Sequence, residues 1–346
     1  MPVTVVVGGQ FGSEGKGKVA YEIARRTKAA AAVRVGGPNS GHTVVGPDGN
    51  KVIFRQLPTA ALLPNVICVL PAGSYIDKEV LFRELRMTGL DSSRLLIDPN
   101  AVVVSDLERG EEQARLLGQK IGSTLTGTGA AVSRRVNRLG DICLAQHDPQ
   151  LDSFVQPAVP AMRSILERRK RIIIEGTQGF GLSVLHSPYY PYTTSRDTTA
   201  ASFVSEAGLS PVDVDDIVLV IRAFPIRVGG NSGPLPKEIS WSILTEESGS
   251  KVDLTEFTSV TKRERRVARF DPEVVRQAIA CNNPTTIVLN HVDYVDASCG
   301  TGMVLTKRAA KFIKDVEQAI GSRVTQVGIG PDSLIDRRVF EELVRR

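Results

Sequence analysis

The chain has 346 residues, 43 basic and 38 acidic for a net charge of +5, with 42% hydrophobic and 23% charged residues. That is ordinary globular composition and excludes wholesale disorder. Its basic clusters, Arg168-Arg169-Lys170-Arg171 and Lys262-Arg263-Glu264-Arg265-Arg266, are short and far apart, which argues against nucleic acid and for small anionic ligands.

No apolar run approaches the ~18 residues of a membrane span, and the opening Met1-Pro2-Val3 lacks the basic region of a signal peptide. Cys68, Cys143, Cys281 and Cys299 show no C-x-x-C spacing, so reduced thiols are expected and a zinc site is not. The expectation is a soluble cytoplasmic protein without a membrane or nucleic-acid partner.

Short β-branched runs alternate with amphipathic segments. In chain order the pattern predicts a strand over 3–7, a helix over 17–26, strands over 32–35 and 66–70, and a helix over 78–87. It continues with a helix over 160–170, strands over 171–174 and 217–221, a helix over 272–280 and a strand over 286–289. A helix over 307–320, a strand over 324–326 and a helix over 333–344 complete it. Such alternation predicts an α/β fold of parallel strands and crossover helices. Glycine-, threonine- and serine-rich stretches at 36–41, 122–129 and 176–201 interrupt it, and the longest suits a functional loop better than a connector. No repeat or linker divides residues 1–346, so one domain with inserted subdomains is expected.

Five elements carry chemistry. The first strand runs into Gly8-Gly9-Gln10-Phe11-Gly12-Ser13-Glu14-Gly15-Lys16-Gly17-Lys18 and then a helix, which is phosphate-binding logic. Glycines let backbone N–H groups approach oxygens, the helix N-terminus favours anions, and Lys16 adds charge. It departs from the Walker pattern, because Gly17 stands where a magnesium-binding Ser or Thr is usual. A tight strand-to-helix turn with solvent lysines is the plainer alternative. The second element, Gly36-Gly37-Pro38-Asn39-Ser40-Gly41-His42-Thr43, also ends a strand; His42 suits an oxyanion donor or an acid, or is a solvated loop histidine.

The third, Glu175-Gly176-Thr177-Gln178-Gly179, offers an amide face that matches a purine edge or caps a turn, and Tyr189-Tyr190-Pro191-Tyr192-Thr193-Thr194-Ser195 follows it. The fourth, Val260-Thr261-Lys262-Arg263-Glu264-Arg265-Arg266, is a carboxylate- or phosphate-binding run or a solvated face. The fifth, Asn290-His291-Val292-Asp293, echoes the Asn-Lys-x-Asp guanine motif with histidine for lysine, or is a polar strand-end turn.

Together and in this order these elements resemble the adenylosuccinate synthetase family, from Gly9 to the closing Gly328-Ile329-Gly330-Pro331-Asp332 and in the short form of archaeal and phage members. The resemblance implies a P-loop-like α/β fold with a central, mostly parallel sheet flanked by helices. It implies a homodimeric ligase that joins L-aspartate to a purine monophosphate with a nucleoside triphosphate and Mg2+. The purine 6-oxo group is phosphorylated first, and the aspartate amine then displaces phosphate.

Carried over residue by residue, Gly12, Ser13, Glu14, Gly15, Lys16, Gly17 and Lys18 match the loop cradling the triphosphate, and His42 the histidine that stabilises the 6-oxyanion. Ser13, Lys16 and His42 form the implied catalytic set. Gly41, through its carbonyl, and Ser13 match metal ligands, and Thr43 a triphosphate contact. Asn39, Thr124, Gln178 and Thr194 match contacts to the monophosphate nucleotide, with Ser13 and Arg263 beside them and Arg138 donated across the dimer interface. Ser259, Val260, Thr261, Arg263 and Arg265 match the loop that closes on aspartate. His291, Asp293 and Gly330 match the pocket for the triphosphate base, with Arg265 near the triphosphate.

The departures point further. Ser13 stands where the family carries a catalytic aspartate, and a serine hydroxyl is a poor base at neutral pH. It is also shorter and neutral, which leaves room beside the base for an exocyclic amine and a hydroxyl to accept from it. This substitution resembles the phage branch, 2-aminoadenylosuccinate synthetases acting on dGMP for diaminopurine-containing DNA, which implies dGMP, ATP and a host-cell cytoplasm. GTP and dATP remain alternatives as donor, since Asp293 suits guanine while His291 replaces the pocket's usual lysine. Lys262 and Glu264 also replace the family's Gly and Arg in the aspartate loop. The competing readings are a short-form synthetase using IMP and GTP, and a nucleotide switch with a degenerate site.

Overall fold

The computed structural model describes residues 2–258, 262–302, 305–337 and 339. The chain opens with β1 (Val3–Gly8), α1 (Lys16–Thr27), β2 (Ala31–Arg34), the hairpin β3 (His42–Val45) and β4 (Lys51–Phe54), and β5 (Ile67–Leu70). Next come β6 (Tyr75–Ile76), α2 (Lys78–Thr88), β7 (Leu95–Ile97), β8 (Val102–Val103), α3 (Asp106–Ala114), α4 (Leu117–Ile121), α5 (Thr128–Val136) and α6 (Ala158–Glu167). They lead to β9 (Ile172–Glu175), α7 (Ala200–Ala207), β10 (Val214–Arg222), β11 (Ile226–Val228), β12 (Glu238–Ile239) and α8 (Trp241–Ser248). The last elements are β13 (Arg265–Ala268), α9 (Pro272–Asn282), β14 (Thr286–Asn290), α10 (Ser298–Gly302), α11 (Lys307–Ile320), β15 (Gln326–Val327) and β16 (Ile335–Asp336).

Nine strands form one sheet in the order β16-β15-β14-β10-β1-β9-β2-β5-β7. Every neighbouring pair is parallel except β15 with β16. The strands read as unbroken apolar runs because both faces are covered. Val3, Val5, Val7, Ile172, Ile174, Leu219 and Ile221 belong to the core with Met162, Phe203, Val275 and Ile313 of α6, α7, α9 and α11. Their alternates Val6, Ile173, Val218, Val220 and Val288 pack with Val19, Ala20 and Ala24 of α1. Each fully buried valine or isoleucine contributes about 1.5–3 kcal/mol relative to exposure. The fold is thus α/β, a central and mostly parallel sheet flanked by helices, as the sequence pattern predicts.

Insertions stand outside this sheet. A small antiparallel sheet, β11-β13-β12, closes over Trp241 and Leu244, and the β3–β4 hairpin lies against α1. One expectation holds only in part, since the helix expected from 333 gives way to a strand at its start while residues 337 and 339 are helical. The segment predicted as a helix over 333–344 holds β16, in which Ile335 pairs with Val327 and is buried. Residues 338 and 340–344 of that segment lie outside the described ones. Among the described residues all four cysteines are free thiols, and no helix is long and apolar enough to cross a membrane.

Candidate active site

Four of the five elements singled out in the sequence leave β1, β2, β9 and β14, which with β10 are neighbours in the sheet in the order β14-β10-β1-β9-β2, and the remaining one, the arginine-rich run, leads into β13 of the small sheet. All five strands are parallel, so the loops emerge along one edge, where an open α/β sheet binds ligands. Two adjoining cavities lie there. The smaller, of about 230 Å³, is lined by Gly12, Ser13, Gly15, Lys16, Gly17, Asn39, Gly41, His42, Thr43, Thr124, Gln178, Arg265 and His291. The larger, of about 360 Å³, shares Phe11, Asn39, Thr124 and Gln178 with it and adds Thr126, Tyr192, Thr194 and Arg227.

The phosphate loop is built on a carboxylate. Glu14 is fully buried and accepts from the backbone N–H of Gln10 at 3.1 Å and of Gly12 at 2.7 Å, while its other oxygen takes Lys16 Nζ at 2.7 Å. Glu14 therefore shapes the loop from beneath and does not face the cavity. Gly12, Ser13 and Gly15 all have positive φ, 87°, 57° and 90°. Gly15 has a second constraint, because a Cβ there would lie 2.6 Å from Asn290 Nδ2, which donates to the Glu14 carbonyl at 2.8 Å. Gly179 approaches from the β9 loop so closely that a Cβ would meet Glu14 Oε1 at 2.4 Å.

His42 begins β3 and is buried. Its Nδ1 donates to Glu175 Oε1 at 2.5 Å. The other Glu175 oxygen accepts from both the N–H and the hydroxyl of Thr59, each at 2.8 Å. Arg34 Nη1 lies 2.7 and 3.0 Å from the two imidazole nitrogens, so it sits alongside the ring and not on a single lone pair. Burial and the Arg34 charge, with Lys16 adding, hold His42 down to about 3, which leaves it neutral. Burial works against ionisation of Glu175, but His42, Arg34 and Thr59 outweigh it and keep the carboxylate charged.

A second cluster surrounds Ser13. Its carbonyl accepts from Arg222 Nη1 at 3.1 Å and its hydroxyl from Arg265 Nη1. Arg222 is fully buried and gives Nη2 to Glu256 at 2.5 Å; Tyr294 donates its hydroxyl to the same oxygen at 3.1 Å. In the larger cavity, Arg227 stacks on the Phe11 ring at 4.8 Å and donates to the Pro234 and Tyr192 carbonyls.

Several expected residues lie elsewhere. Lys18 turns away from the cavity and donates to the carbonyls of Gly330 at 2.9 Å and Ser333 at 3.1 Å. Burial lowers it to about 8, with Asp293 and Asp332 opposing the fall. Asp293 and Gly330 thus gather around Lys18, beside the smaller cavity and not on its wall, and burial raises the Asp293 carboxyl. Arg263 is exposed and lines a separate cavity with Leu116 and Asn231. Arg138 is exposed beyond α5 and lines neither cavity of its own chain. Ser259, Val260 and Thr261 lie outside the described residues.

Sequence reasoning missed Arg34, Thr59, Arg222, Arg227 and Glu256, and it quoted Glu175 without giving it a role. Three of these carried a signal. Arg34, Glu175 and Arg222 are charged residues that end apolar strands, and a buried charge there needs a partner at the ligand edge.

The adenylosuccinate synthetase family model matches residues 5–145 and 142–300. An adenylosuccinate synthetase of Archaeoglobus fulgidus is 34% identical over 349 residues, covering 98% of this chain and 99% of that one. One of Methanococcus vannielii is 37% identical, covering 96% and 97%. Among solved structures, the succinoaminodeoxyadenylate synthetase of cyanophage S-2L, bound to dGMP and to dATP as energy donor, superposes with a TM-score of 0.81 at 31% identity, covering 100% and 99%. The fully ligated adenylosuccinate synthetase of Plasmodium falciparum shares the fold, with a TM-score of 0.85 at 22% identity, covering 97% and 100%. With its ligand edge built at the ends of adjacent parallel strands, this chain belongs to the adenylosuccinate synthetase family and is a carbon–nitrogen ligase.

Proposed function

We propose that the chain joins L-aspartate to C6 of dGMP, driven by ATP hydrolysis, giving N6-succino-2-amino-2′-deoxyadenylate, ADP and phosphate for diaminopurine-containing DNA. The observation that carries this reading is Ser13, a small neutral residue on the cavity wall where the family resemblance places an aspartate. A carboxylate there favours a base that offers only N1–H. A hydroxyl, shorter and uncharged, leaves space for the 2-amino group and accepts a hydrogen bond from it. The cyanophage protein bound to dGMP and dATP supports the same substrate class.

In this reading the 6-oxo oxygen attacks the γ-phosphorus, the bond from that phosphorus to the β–γ bridging oxygen breaks, and N1 loses its proton. The aspartate amine then adds at C6 and the 6-phosphoryl group leaves as phosphate. Lys16 and the N–H groups at the start of α1 receive the triphosphate. His42, its Nδ1 proton held by Glu175, takes up a second proton on Nε2 as the anionic phosphates arrive and donates it to the developing 6-oxyanion, and Gln178, which lines both cavities, reads the purine edge. Asn39, Thr124 and Thr194 receive the monophosphate nucleotide, together with Arg138 of a second copy; its exposure and its absence from its own chain's cavities support that sharing. Arg263 and Arg265, with residues 259–261, close on aspartate.

Magnesium fits as an ion carried on the substrate phosphates, with the Gly41 carbonyl as a hard oxygen ligand; no cluster of three or more His, Cys, Asp or Glu among the described residues makes a metal cage. Ser13 Oγ, which accepts from Arg265, would have its second lone pair to offer to the ion. When bound, the ion neutralises charge on the transferring phosphoryl group.

The second reading, IMP with GTP, is favoured by Asp293, whose carboxylate suits guanine donors, and by the archaeal relatives. Phosphate release with L-aspartate and magnesium, crossing dGMP and IMP against ATP and GTP, decides between them. The expected result is that dGMP with ATP dominates and that Ser13→Asp shifts preference toward IMP; dominance of IMP with GTP in the wild type overturns the reading.

A further inference from the structure

Ser13, Arg222, Glu256 and Arg265 form a closed ring. Arg222 at the end of β10 donates to the Ser13 carbonyl and to the Glu256 carboxylate, at 3.1 and 2.5 Å. The Glu256 carbonyl accepts the Arg265 N–H at 2.9 Å, and the Arg265 guanidinium returns to the Ser13 hydroxyl. Ring members thus come from the phosphate loop, from a central strand and from both sides of the aspartate loop. That loop is pinned at its stem, where Phe257 bridges Glu264 and Thr258 N–H donates to the Arg263 carbonyl at 2.8 Å.

We propose that Glu256 is a positioning residue that couples triphosphate occupancy of the phosphate loop to the placement of Arg265 for aspartate. The coupling follows from connectivity. Ser13 is held by both guanidinium groups, and its backbone sits in the left-handed region, so a phosphate seated on the loop changes what Ser13 offers them. Arg222 is fully buried and Glu256 is the carboxylate it touches, so the pair moves together or leaves a buried charge uncompensated. Burial opposes ionisation of Glu256, yet Arg222, with His291 and Arg265, holds it down to about 2, so it carries charge throughout the working range. Tyr294 ties the same carboxylate to the loop after β14.

The role in aspartate placement rests on the ligase reading above, whereas the coupling has its own reporter. Trp241, the only tryptophan in the chain, donates its indole N–H to the Arg265 carbonyl at 2.6 Å. Its fluorescence therefore senses movement of the Arg265 backbone without any turnover. In the wild type, ATP with magnesium is expected to shift Trp241 emission. In Glu256→Gln the shift is expected to vanish, although ATP still raises the melting temperature and so still binds. In turnover assays Glu256→Gln is expected to raise KM for L-aspartate about tenfold, leaving KM for both nucleotides within about twofold, the split expected of a truncated hydrogen-bonded charge pair. Glu256→Asp, which keeps the charge, should recover part of the loss.

An emission shift that survives in Glu256→Gln, or a wild type without one, overturns the coupling. So does a uniform rise in all three KM values. A shift present in the wild type and lost in Glu256→Gln, from a wild type that releases no phosphate on aspartate addition, overturns the ligase reading and leaves the coupling standing.

Discussion

His42 donates to a carboxylate whose other oxygen is already filled by Thr59, so its ring is fixed before any ligand arrives. Such preorganisation makes a single donor worth much at an oxyanion: His42→Ala is expected to lower kcat about 10²–10³-fold, roughly 3–4 kcal/mol, with the fold intact by circular dichroism. Near-wild-type turnover removes it from the mechanism. Lys18 gives the complementary lesson. It looks like a phosphate ligand by position, yet its Nζ serves two backbone carbonyls. Because its folded pKa of about 8 lies below the ordinary lysine value of 10.5, the unfolded chain binds more protons between those values. Stability therefore rises with pH across that window, and the charged lysine weighs fully against folding below it. Denaturation midpoints at pH 7.5 and 10 should show this gain, at most about 3 kcal/mol, in the wild type and lose it in Lys18→Met.

Among the elements, most of the central sheet was legible, because strands buried on both faces leave continuous β-branched runs such as Val5-Val6-Val7 and Ile172-Ile173-Ile174. The site loops after β1, β2 and β9 were legible for a related reason: each follows such a run and carries glycine beside polar residues. The insertions were not. The β3–β4 hairpin and α3 to α5 are short and half-exposed, with no apolar period long enough to separate from loop. Glu256 was equally silent, since its pairing with Arg222 spans 34 residues and depends on how β10 meets the aspartate loop. At the phosphate loop the element depends on Gly15. Gly15→Ala adds a Cβ at φ 90° and displaces the Asn290 amide from the Glu14 carbonyl. The expected cost is about 1–3 kcal/mol. Thermal-shift measurements should also show that ATP, which stabilises the wild type, no longer stabilises this variant; an undiminished shift contradicts the proposed seat of the triphosphate.

For the whole molecule, the prediction concerns shared sites. If Arg138 completes the site of a second copy, His42→Ala and Arg138→Ala are each inactive, but a mixed dimer holds one site with both residues. Mixing the two variants should therefore recover about a quarter of wild-type activity, as expected for random exchange in a two-fold dimer. No recovery, with subunit exchange verified by differential tagging, argues that each site is self-contained. The sheet order has a consequence for how the chain is made. β1 is made well before its two neighbours, β9 and β10, which are completed only at Glu175 and Arg222. Until then its unbroken valine strand has no native partner on either side. The central sheet, and with it the phosphate loop, is completed only once β10 has been made, and until then the apolar β1 keeps both of its edges open to non-native pairing.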